Sequence, residues 1–391
     1  MRDDRPYDLV LFGATGFTGG LTAEYLARRA PDGLRWALAG RNPGKLAAVR
    51  DRLAALDPGL AELPLLTADA TDPASLRVVA ESARVVATTV GPYIHHGEPL
   101  VAACAAAGTD YVDITGEPEF VDLTYVRHHA EAVRTGARLV HACGFDSIPH
   151  DLGAWFTVRQ LPTDGPVTVD GYVRAGGRFS AGTYHSALTA FSRTAEMNRA
   201  AKARKAVEPR PEGRRVRAVP GKVGRVKELG LWAVPLPTID PQVVRRSAAA
   251  RPEYGPDFRY RHFAAVKRLP TILAAGVGLA GLVGLVKLPP TRRWLLGRLS
   301  SGQGPSAEQR AKSWFRVRFV GTGGGRRVLT EVAGGDPGYD ETAKMLAESA
   351  LCLAYDDLPP TAGQVTTVTA MGDALLDRLV QAGITFRVVD A

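Results

Sequence analysis

Short apolar runs alternate with helical segments along the first 150 residues of the chain. The runs predict strands, because each is brief and mostly apolar. Asn42-Pro43 and Asp72-Pro73 each predict a helix start, with Asn or Asp as the cap and Pro in the first turn. The predicted strands are Tyr7–Phe12, Leu34–Ala39, Leu63–Leu66, Arg84–Val90, Tyr111–Ile114 and Ala137–Val140. Further helices are predicted at Phe17–Arg29 and near Glu98–Ala107. The alternation predicts an α/β domain with a doubly wound parallel sheet over residues 1–150.

The pattern changes after Ile148, where the regular alternation ends. The runs Trp314–Thr322 and Arg326–Ala333 flank the glycines of GTGGG, which predicts an antiparallel pair joined by a turn. We therefore expect a second, α+β domain over residues 151–391, for substrate binding or homodimer formation. Its other predicted elements are a helix at His150–Gln160, a strand at Val167–Ala175, a helical stretch at His185–Lys205, and C-terminal helices at Asp340–Tyr355 and Gly372–Ala382. The C-terminal helices are candidates to pack back on the first domain.

The chain has a net charge of +9, and one segment supplies all of the surplus. Residues 199–268 contain eighteen Lys or Arg and six Asp or Glu, whereas the rest of the chain has a net charge of −3. Such a segment is either a solvated surface or a contact for an anionic partner, such as a membrane surface or an acidic carrier protein. It has few aromatic residues and no recognisable nucleic-acid module, so no nucleic-acid partner is expected.

The next segment, residues 269–286, has no charged side chain. Its length is at the lower limit for crossing a bilayer, and it contains four glycines. A buried or membrane-touching helical hairpin, a membrane span and a loop are the alternatives. Beside the basic segment, it is similar to a peripheral membrane contact, with electrostatic attraction followed by shallow insertion.

The cysteines and the N-terminus of the chain indicate its cellular compartment. Cys104, Cys143 and Cys352 are widely spaced, which is typical of a reducing cytoplasm. The charged N-terminus lacks the apolar region of a signal peptide. We expect a cytoplasmic protein, with the inner face of the membrane as an alternative peripheral location.

The strongest motif is VLFGATGFTGG, a glycine-rich turn between the first strand and the first helix. Its first glycine permits the tight turn, the second lets backbone N–H groups approach a pyrophosphate, and the third allows close packing of helix and strand. The strand before it and the βαβ unit after it make this a dinucleotide site of the Rossmann type. The residues expected to line the cofactor here are Gly13, Thr15, Gly16, Phe17, Thr18 and Gly19.

The end of the second strand indicates which dinucleotide binds. An NAD site would have an acidic side chain there, to hold the ribose hydroxyls. This chain has Arg41 and Asn42 instead, with Lys45 one turn later. A guanidinium can bind a 2′-phosphate and stack on adenine, so NADP(H) is the expected cofactor. Asp69, after the third strand, is expected to face the adenine.

The fourth strand ends in Thr89-Val90-Gly91-Pro92, which should lie beside the nicotinamide ribose. Tyr93 and His95 follow and are expected to project into the cleft. His95 and its neighbour His96 have no third ligand spaced with them, so no metal site is expected.

The segment CGFDSIPHD follows the sixth strand and places Cys143, Asp146 and Ser147 at another strand end. Asp146 and Ser147 either belong to the site or cap the helix that begins near Pro149. Cys143 has no evident base, which argues against a nucleophilic role.

Several of these motifs together resemble those of a known protein family. GATGFTG, AGRN, TTVGPY, GEPLVAACAAAGTDYVDITGE and CGFDSIPHDLG cover most of residues 7–153, and the chain resembles the saccharopine dehydrogenase-like family through them. The tail, RVLTEVAGGDPGYDETAKMLAESALCLA with TAMGDALLDRL, looks like that of the trans-acting enoyl reductases. The resemblance implies a Rossmann domain with a second α+β domain, and reduction of a carbon–carbon double bond on a polyketide intermediate held by another protein.

Three functions are compatible with these features. The first is NADPH-dependent reduction of an unsaturated acyl thioester, with Tyr93 and His95 as candidate donor and acid, and Asp146 and Tyr184 as further candidates. The second is saccharopine-type C–N chemistry on an amino-acid adduct, for which Arg174 and Arg178 could bind carboxylates. The third is a non-catalytic NADP-binding protein that docks on a membrane or a synthase. The Tyr-x-x-x-Lys pair of short-chain reductases is absent.

Overall fold

A seven-stranded parallel sheet lies at the centre of the first domain in the computed structural model, which describes residues 4–177, 193–268 and 304–389. Its strands are β1 (Tyr7–Phe12), β2 (Trp36–Gly40), β3 (Leu65–Thr67), β4 (Ala83–Thr88), β5 (Asp110–Asp113), β6 (Arg138–Val140) and, from far along the chain, β14 (Gly363–Val365). They lie in the order β14-β6-β5-β4-β1-β2-β3. The predicted doubly wound α/β fold is confirmed, whereas the seventh strand was not predicted.

Six helices lie between consecutive strands from β1 to β6. They are α1 (Phe17–Arg29), α2 (Pro43–Ala54), α3 (Pro73–Ser82), α4 (Tyr93–His96), α5 (Glu98–Ala107) and α6 (Pro118–Thr135). The predicted caps are confirmed, because the Asn42 side chain accepts from the Lys45 N–H at 2.9 Å and the Asp72 side chain accepts from Ala74 and Ser75. Capping of this kind stabilises a helix by about 1 kcal/mol.

A second, mixed sheet forms the other layer of the molecule. Its strands are β7 (Pro166–Gly176), β8 (Arg215–Ala218), β9 (Gly224–Val226), β10 (Leu231–Pro235), β11 (Asp257–Val266), β12 (Trp314–Gly323), β13 (Arg326–Gly334) and β15 (Thr385–Val389). The main order is β15-β13-β12-β7-β11-β10-β9, and β8 pairs with β11. The predicted antiparallel pair is confirmed as β12 and β13, joined at Gly324 and Gly325, which both have positive φ.

The remaining helices pack on these two sheets. They are α7 (Ile148–Val158), α8 (Thr194–Val207), α9 (Asp240–Ala250), α10 (Ala307–Arg310), α11 (Asp340–Tyr355), α12 (Thr367–Ala370) and α13 (Gly372–Gln381). Gly153 of α7 lies so close to Phe319 of β12 that an added Cβ would come within 2.3 Å of the ring. Helix α11 lies against α1, where the Tyr25 hydroxyl donates to Glu348 at 2.6 Å. The C-terminal part of the chain thus contacts the first sheet's helices directly.

Part of the basic segment is buried. Arg204 of α8 has only 4% of its surface exposed and stacks on Tyr125 of α6 at 3.9 Å. Its guanidinium also bonds to Glu208 at 2.7 Å, and Arg246 shares that carboxylate at 3.4 Å. These arginines attach the segment to the first domain, so they are not available to an external partner.

The apolar segment 269–286 lies outside the described residues, so a membrane contact there stays a prediction. Within residues 4–177, 193–268 and 304–389, no helix is long and apolar enough to cross a membrane.

Candidate active site

The glycine-rich turn closes tightly between β1 and α1. Gly13 has φ of 94°, and its N–H donates to Ala39 at 2.9 Å. Gly16 donates to the Gly13 carbonyl at 3.0 Å, which completes the turn. The positive φ at Gly13 disfavours any residue with a Cβ. The turn therefore has the shape predicted from the sequence.

Sterics separate the roles of the other two glycines. An added Cβ at Gly19 would lie 2.2 Å from the Gly13 carbonyl oxygen, so this glycine is needed for packing. An added Cβ at Gly16 would meet only that oxygen, at 3.4 Å. Gly16 is exposed, and the protein itself leaves room for a side chain there. Packing within the protein therefore does not require a glycine at this position, whereas close approach of a pyrophosphate to the backbone does.

The N-terminus of α1 is arranged to receive an anion. Its cap residue, Gly16, has no side chain that could cap the helix, and the first turn contains no acidic residue. The N–H groups and the helix dipole together favour a phosphate at this position. The ring of Phe17 beside it packs edge-on against Tyr339 at 4.8 Å, and the Arg310 guanidinium lies 5.5 Å from the Phe17 ring centre. Neither Tyr339 nor Arg310 was predicted to lie beside this turn, because both are far from it in the sequence.

The residues that follow β2 and β3 lie near one another. Arg41 and Lys45 are exposed, whereas the Asn42 side chain is used as the α2 cap. Asp69 accepts from the backbone and the hydroxyl of Thr71. These bonds, with smaller contributions from the nearby charges of Arg41 and His96, lower the pKa of Asp69. A cation and a carboxylate thus lie together where an adenosine phosphate would be expected.

The end of β4 lies directly against the glycine turn. The Thr89 hydroxyl donates to the Gly13 carbonyl at 3.2 Å, and an added Cβ on Gly13 would lie 2.7 Å from the Val90 side chain. The Gly91–Pro92 bond is cis. Of the four predicted residues, Thr89 and Val90 therefore adjoin the glycine turn, and Gly91 and Pro92 follow them in the chain.

Tyr93 does not project into the cleft. It is 5% exposed, its hydroxyl donates to the Thr88 carbonyl at 3.0 Å, and it accepts from the Ile114 N–H at 3.3 Å. Glu117, which was not singled out in the sequence, accepts from the backbone N–H groups of Tyr93 and Ile94. The expectation of a projecting Tyr93 was wrong, because this side chain faces inward from the short helix. His95, two residues later, is exposed.

Asp146 has a different environment from the other carboxylates. It follows β6, is partly exposed, and lies beside Gly116, where an added Cβ would be 3.3 Å from its carboxyl oxygen. Burial and the nearby charges of Asp240, Glu117 and Asp113 raise its pKa to about 7, against an opposing effect of His150. A carboxyl group with this pKa can exchange a proton near neutral pH.

The neighbours of Asp146 do not share this chemistry. Helix α7 has no side-chain cap from Ser147, and the Ser147 hydroxyl has no hydrogen-bond partner within the described residues. The capping interpretation is therefore wrong for Ser147. Cys143 is fully buried, and burial is the largest of the effects that raise its pKa well above the usual value. A thiol of this kind is not a nucleophile.

Comparisons with known proteins agree on the family of the chain. A family model described as the saccharopine dehydrogenase NADP binding domain matches residues 9–140. A trans-acting enoyl reductase of Mycobacterium ulcerans is 38% identical over 97% of both chains. A Mycobacterium tuberculosis protein that carries the same name provisionally is 40% identical, over 98% of this chain and 97% of its own. This chain belongs to the saccharopine dehydrogenase-like family, in the branch of the trans-acting enoyl reductases.

Family membership identifies the cofactor as NADP(H) and the chain as an NADP-dependent oxidoreductase. The saccharopine dehydrogenase (L-Glu forming) of Saccharomyces cerevisiae aligns with a TM-score of 0.57 at 12% identity, over 98% of this chain and 99% of its own. At that identity the likeness shows a shared fold.

Two sequence candidates of this saccharopine dehydrogenase-like chain, Tyr184 and Arg178, lie outside the described residues. Arg174, the other arginine considered for a carboxylate, lies on β7 of the second sheet. Its guanidinium stacks on Trp314 at 5.5 Å. It lies on the same face of the second sheet as Asp170 and Tyr172, which is opposite to the face that packs on α7.

Proposed function

We propose that the chain is an NADPH-dependent enoyl reductase that acts on an unsaturated acyl thioester held by a polyketide synthase. The observation that carries the proposal is Asp146, a partly exposed carboxyl group with a pKa of about 7 at the strand edge where the cofactor is expected. Full-length similarity to proteins named trans-acting enoyl reductase supports the same activity.

The cofactor would be held along the carboxyl edge of the first sheet. The turn from Gly13 to Gly19 would bind the pyrophosphate through backbone N–H groups, with Thr15 and Thr18 at its exposed rim. Arg41 and Lys45 would bind the 2′-phosphate, and Asp69 would face the adenosine. Asn42 would act indirectly, because its side chain is used to begin α2. The segment from Thr89 to Pro92 would border the nicotinamide ribose.

Reduction of the double bond needs one hydride and one proton. When bound, NADPH supplies the hydride to the β-carbon, and the electrons of the double bond move toward the thioester carbonyl. Asp146 would donate its proton to the α-carbon, which completes the saturated acyl thioester and leaves Asp146 ionised. A proton from solvent would restore the acid, which its partial exposure allows.

Tyr93 and His95 take different roles in this proposal. The buried Tyr93 hydroxyl holds the ends of β4 and β5 through Thr88 and Ile114, so Tyr93 would be a positioning residue. The exposed His95 stays a second candidate acid. Separate replacement of His95 and of Asp146 would show which of the two is the acid.

An open pocket on the second sheet supports delivery of the substrate by a carrier. It has a volume of about 450 Å³, and its lining contains five cationic side chains and one acid, Asp170. Two of the cations are paired, Arg261 with Asp170 and Arg217 with Asp257. The others are Lys222, Arg225 and Arg259. This charge complements the acidic surface of a carrier domain and its pantetheine phosphate.

The saccharopine-type alternative has less support. A substrate with several carboxylates would need convergent arginines in the cleft, and Arg174 stacks on Trp314 instead. The non-catalytic alternative would leave the elevated pKa of Asp146 without a use.

The test is NADPH oxidation with a 2-enoyl thioester on a carrier domain, the same acyl group on coenzyme A, and saccharopine with NADP⁺. We expect turnover with the enoyl thioesters only. Deuterium from labelled NADPH should appear at the β-carbon, and deuterium from solvent at the α-carbon. Turnover of saccharopine alone, or tight NADPH binding without any turnover, would contradict the proposal.

Carrier delivery has its own matched control. Lys222→Glu with Arg225→Glu changes two cations of the pocket, and Lys202→Glu with Lys205→Glu makes the same charge change on the exposed face of α8. Only the first pair should raise KM for the carrier-bound substrate, with the coenzyme A substrate unaffected. Equal effects of both pairs would indicate non-specific attraction.

A further inference from the structure

Three buried side chains, of types that can bind a metal ion, meet where α7, α9 and β11 pack together. They are His150 in α7, Asp240 at the start of α9 and His262 in β11. One ligand atom from each lies within 4.8 Å of the other two. All three residues are at least 96% buried, with exposures of 2%, 3% and 4%. Such a group of titratable residues is seldom buried without a compensating interaction.

The polar atoms of this cluster are poorly satisfied. Both ring nitrogens of His150, Oδ1 of Asp240 and Nε2 of His262 have no hydrogen-bond partner within the described residues. The approach of His150 Nδ1 to Asp240 Oδ1, at 2.7 Å, is a charge contact without hydrogen-bond geometry. Nε2 of His262 lies 3.5 Å from the other carboxylate oxygen. Unsatisfied buried groups in a native fold indicate an additional ligand or a functional role.

The surroundings orient these groups as they do around protein-bound metals. Nδ1 of His262 contacts the Tyr260 hydroxyl at 3.0 Å, which fixes the ring and turns its Nε2 toward Asp240. The Thr238 hydroxyl donates to Asp240. The ring of Phe145 packs edge-on against His150 at 5.6 Å. Outer contacts of this kind hold ligands in position for a metal ion.

We propose that His150, Asp240 and His262 bind one divalent transition-metal ion. Two imidazoles and one carboxylate suit Zn²⁺, Co²⁺ or Fe²⁺ better than Ca²⁺ or Mg²⁺, which prefer oxygen ligands. Bonds of about 2.0–2.2 Å would be accommodated if His150 and Asp240 move apart by a few tenths of an ångström. The ion would bridge α7, α9 and β11, and so join the helix after the Asp146 loop to the second sheet. The proposal does not rest on the enoyl reduction, although the charge of Asp240 adds to the effect of burial in raising the pKa of Asp146.

The test begins with the wild-type full-length protein, stripped with a chelator and titrated with Co²⁺ and Zn²⁺. We expect one equivalent to bind by calorimetry, a visible Co²⁺ spectrum typical of nitrogen ligands, and a rise in melting temperature on addition of either metal. Metal analysis of the protein as purified gives a further measurement. No binding, or binding that leaves the melting temperature unchanged, would overturn the proposal whatever the variants do.

Variants locate the ion. Asp240→Asn and His262→Gln should each weaken binding by more than the roughly 10–100-fold that loss of an outer partner costs. His95→Gln with His96→Gln removes the adjacent histidines of α4, outside the cluster, and should leave the affinity unchanged. Circular dichroism confirms that each variant is folded. Loss of binding in the α4 variant with retention in His262→Gln would assign the metal to the surface pair.

Discussion

Replacement of Asp146 by Asn should lower the activity and raise the stability of the protein. Asn keeps the size of the side chain but cannot donate an acidic proton or carry a charge. General acid catalysis by one side chain typically contributes about 10²–10⁴-fold. We therefore expect kcat to fall by about that factor, with NADPH affinity little changed. In the wild type, kcat should fall as the pH rises above about 7, because Asp146 is then ionised.

The stability effect follows from the same pKa. Asp146 changes from an ordinary value of 3.8 to about 7 in the folded protein, so the folded state binds this proton more tightly than the unfolded chain. The free energy of unfolding therefore decreases as the pH rises from about 4 to 7, and the full cost is present above that range. At about 1.36 kcal/mol per pH unit the upper limit is about 4 kcal/mol, which partial exposure of the carboxyl reduces to about 1–3 kcal/mol.

Denaturant unfolding at pH 5 and pH 8 measures this cost directly. Asp146→Asn should be more stable than wild type at pH 8 by about 1–3 kcal/mol, and the difference should shrink at pH 5. Asp32→Asn, in an exposed loop before β2, is the matched control and should change neither activity nor stability. A variant that is less active and also less stable at pH 8 would refute the reasoning, since Asp146 would then be a structural carboxylate.

Three further predictions concern the cofactor and the carrier. Arg41→Ala should weaken NADP(H) binding by about 1.5–3 kcal/mol and leave NAD(H) nearly unchanged, as measured by fluorescence titration, and equal losses would remove Arg41 from the 2′-phosphate. Gly16→Val should abolish NADPH binding at an unchanged melting temperature. Gly19→Ala should lower the melting temperature, because its Cβ would overlap the Gly13 carbonyl oxygen at 2.2 Å, whereas a Cβ at Gly16 would lie 3.4 Å from that oxygen. The opposite pattern would show that Gly16 is structural. The raised KM of the Lys222→Glu and Arg225→Glu protein for a carrier-bound substrate should converge with that of wild type at high salt, and a difference that persists would point to shape instead of charge.

The first domain could be predicted closely because its signals are local. Cap residues, apolar runs and glycines determine most of β1 to β6 within a few residues in sequence, and Tyr7–Phe12 and Phe17–Arg29 agree with the structure at both ends. The seventh strand, Gly363–Val365, has only three residues and pairs with β6, so nothing in its own sequence marks it. The basic segment contains β8 to β11, and the two shortest of these strands, β8 and β9, each have an exposed arginine and no clear period.

In the candidate site, too, the residues that could be predicted are those with local sequence signals. The glycine turn and Arg41 follow from spacing, whereas the position of Arg310 beside Phe17 depends on how the second domain packs. The direction of Tyr93 could not be read from its neighbours, because Glu117 accepts both N–H groups at the start of its short helix and orients that helix. Likewise, the meeting of His150 with His262 joins two parts of the chain that have no shared spacing.

Four carboxylates gather around the ends of β5 and β6, and their partners explain why only one should act as an acid. Asp113 is bonded to His141 at 2.6 Å, and Glu117 accepts from two backbone N–H groups. Asp240 contacts His150, and its pKa is lowered despite burial. Each of these three carboxylates thus has a hydrogen-bond or charge partner. Asp146 has no hydrogen-bond partner among the described residues, and burial and the charges of Asp240, Glu117 and Asp113 raise its pKa against the opposing effect of His150. Of the four, Asp146 is therefore the carboxyl group that we propose holds a proton near neutral pH, beside the expected position of the cofactor.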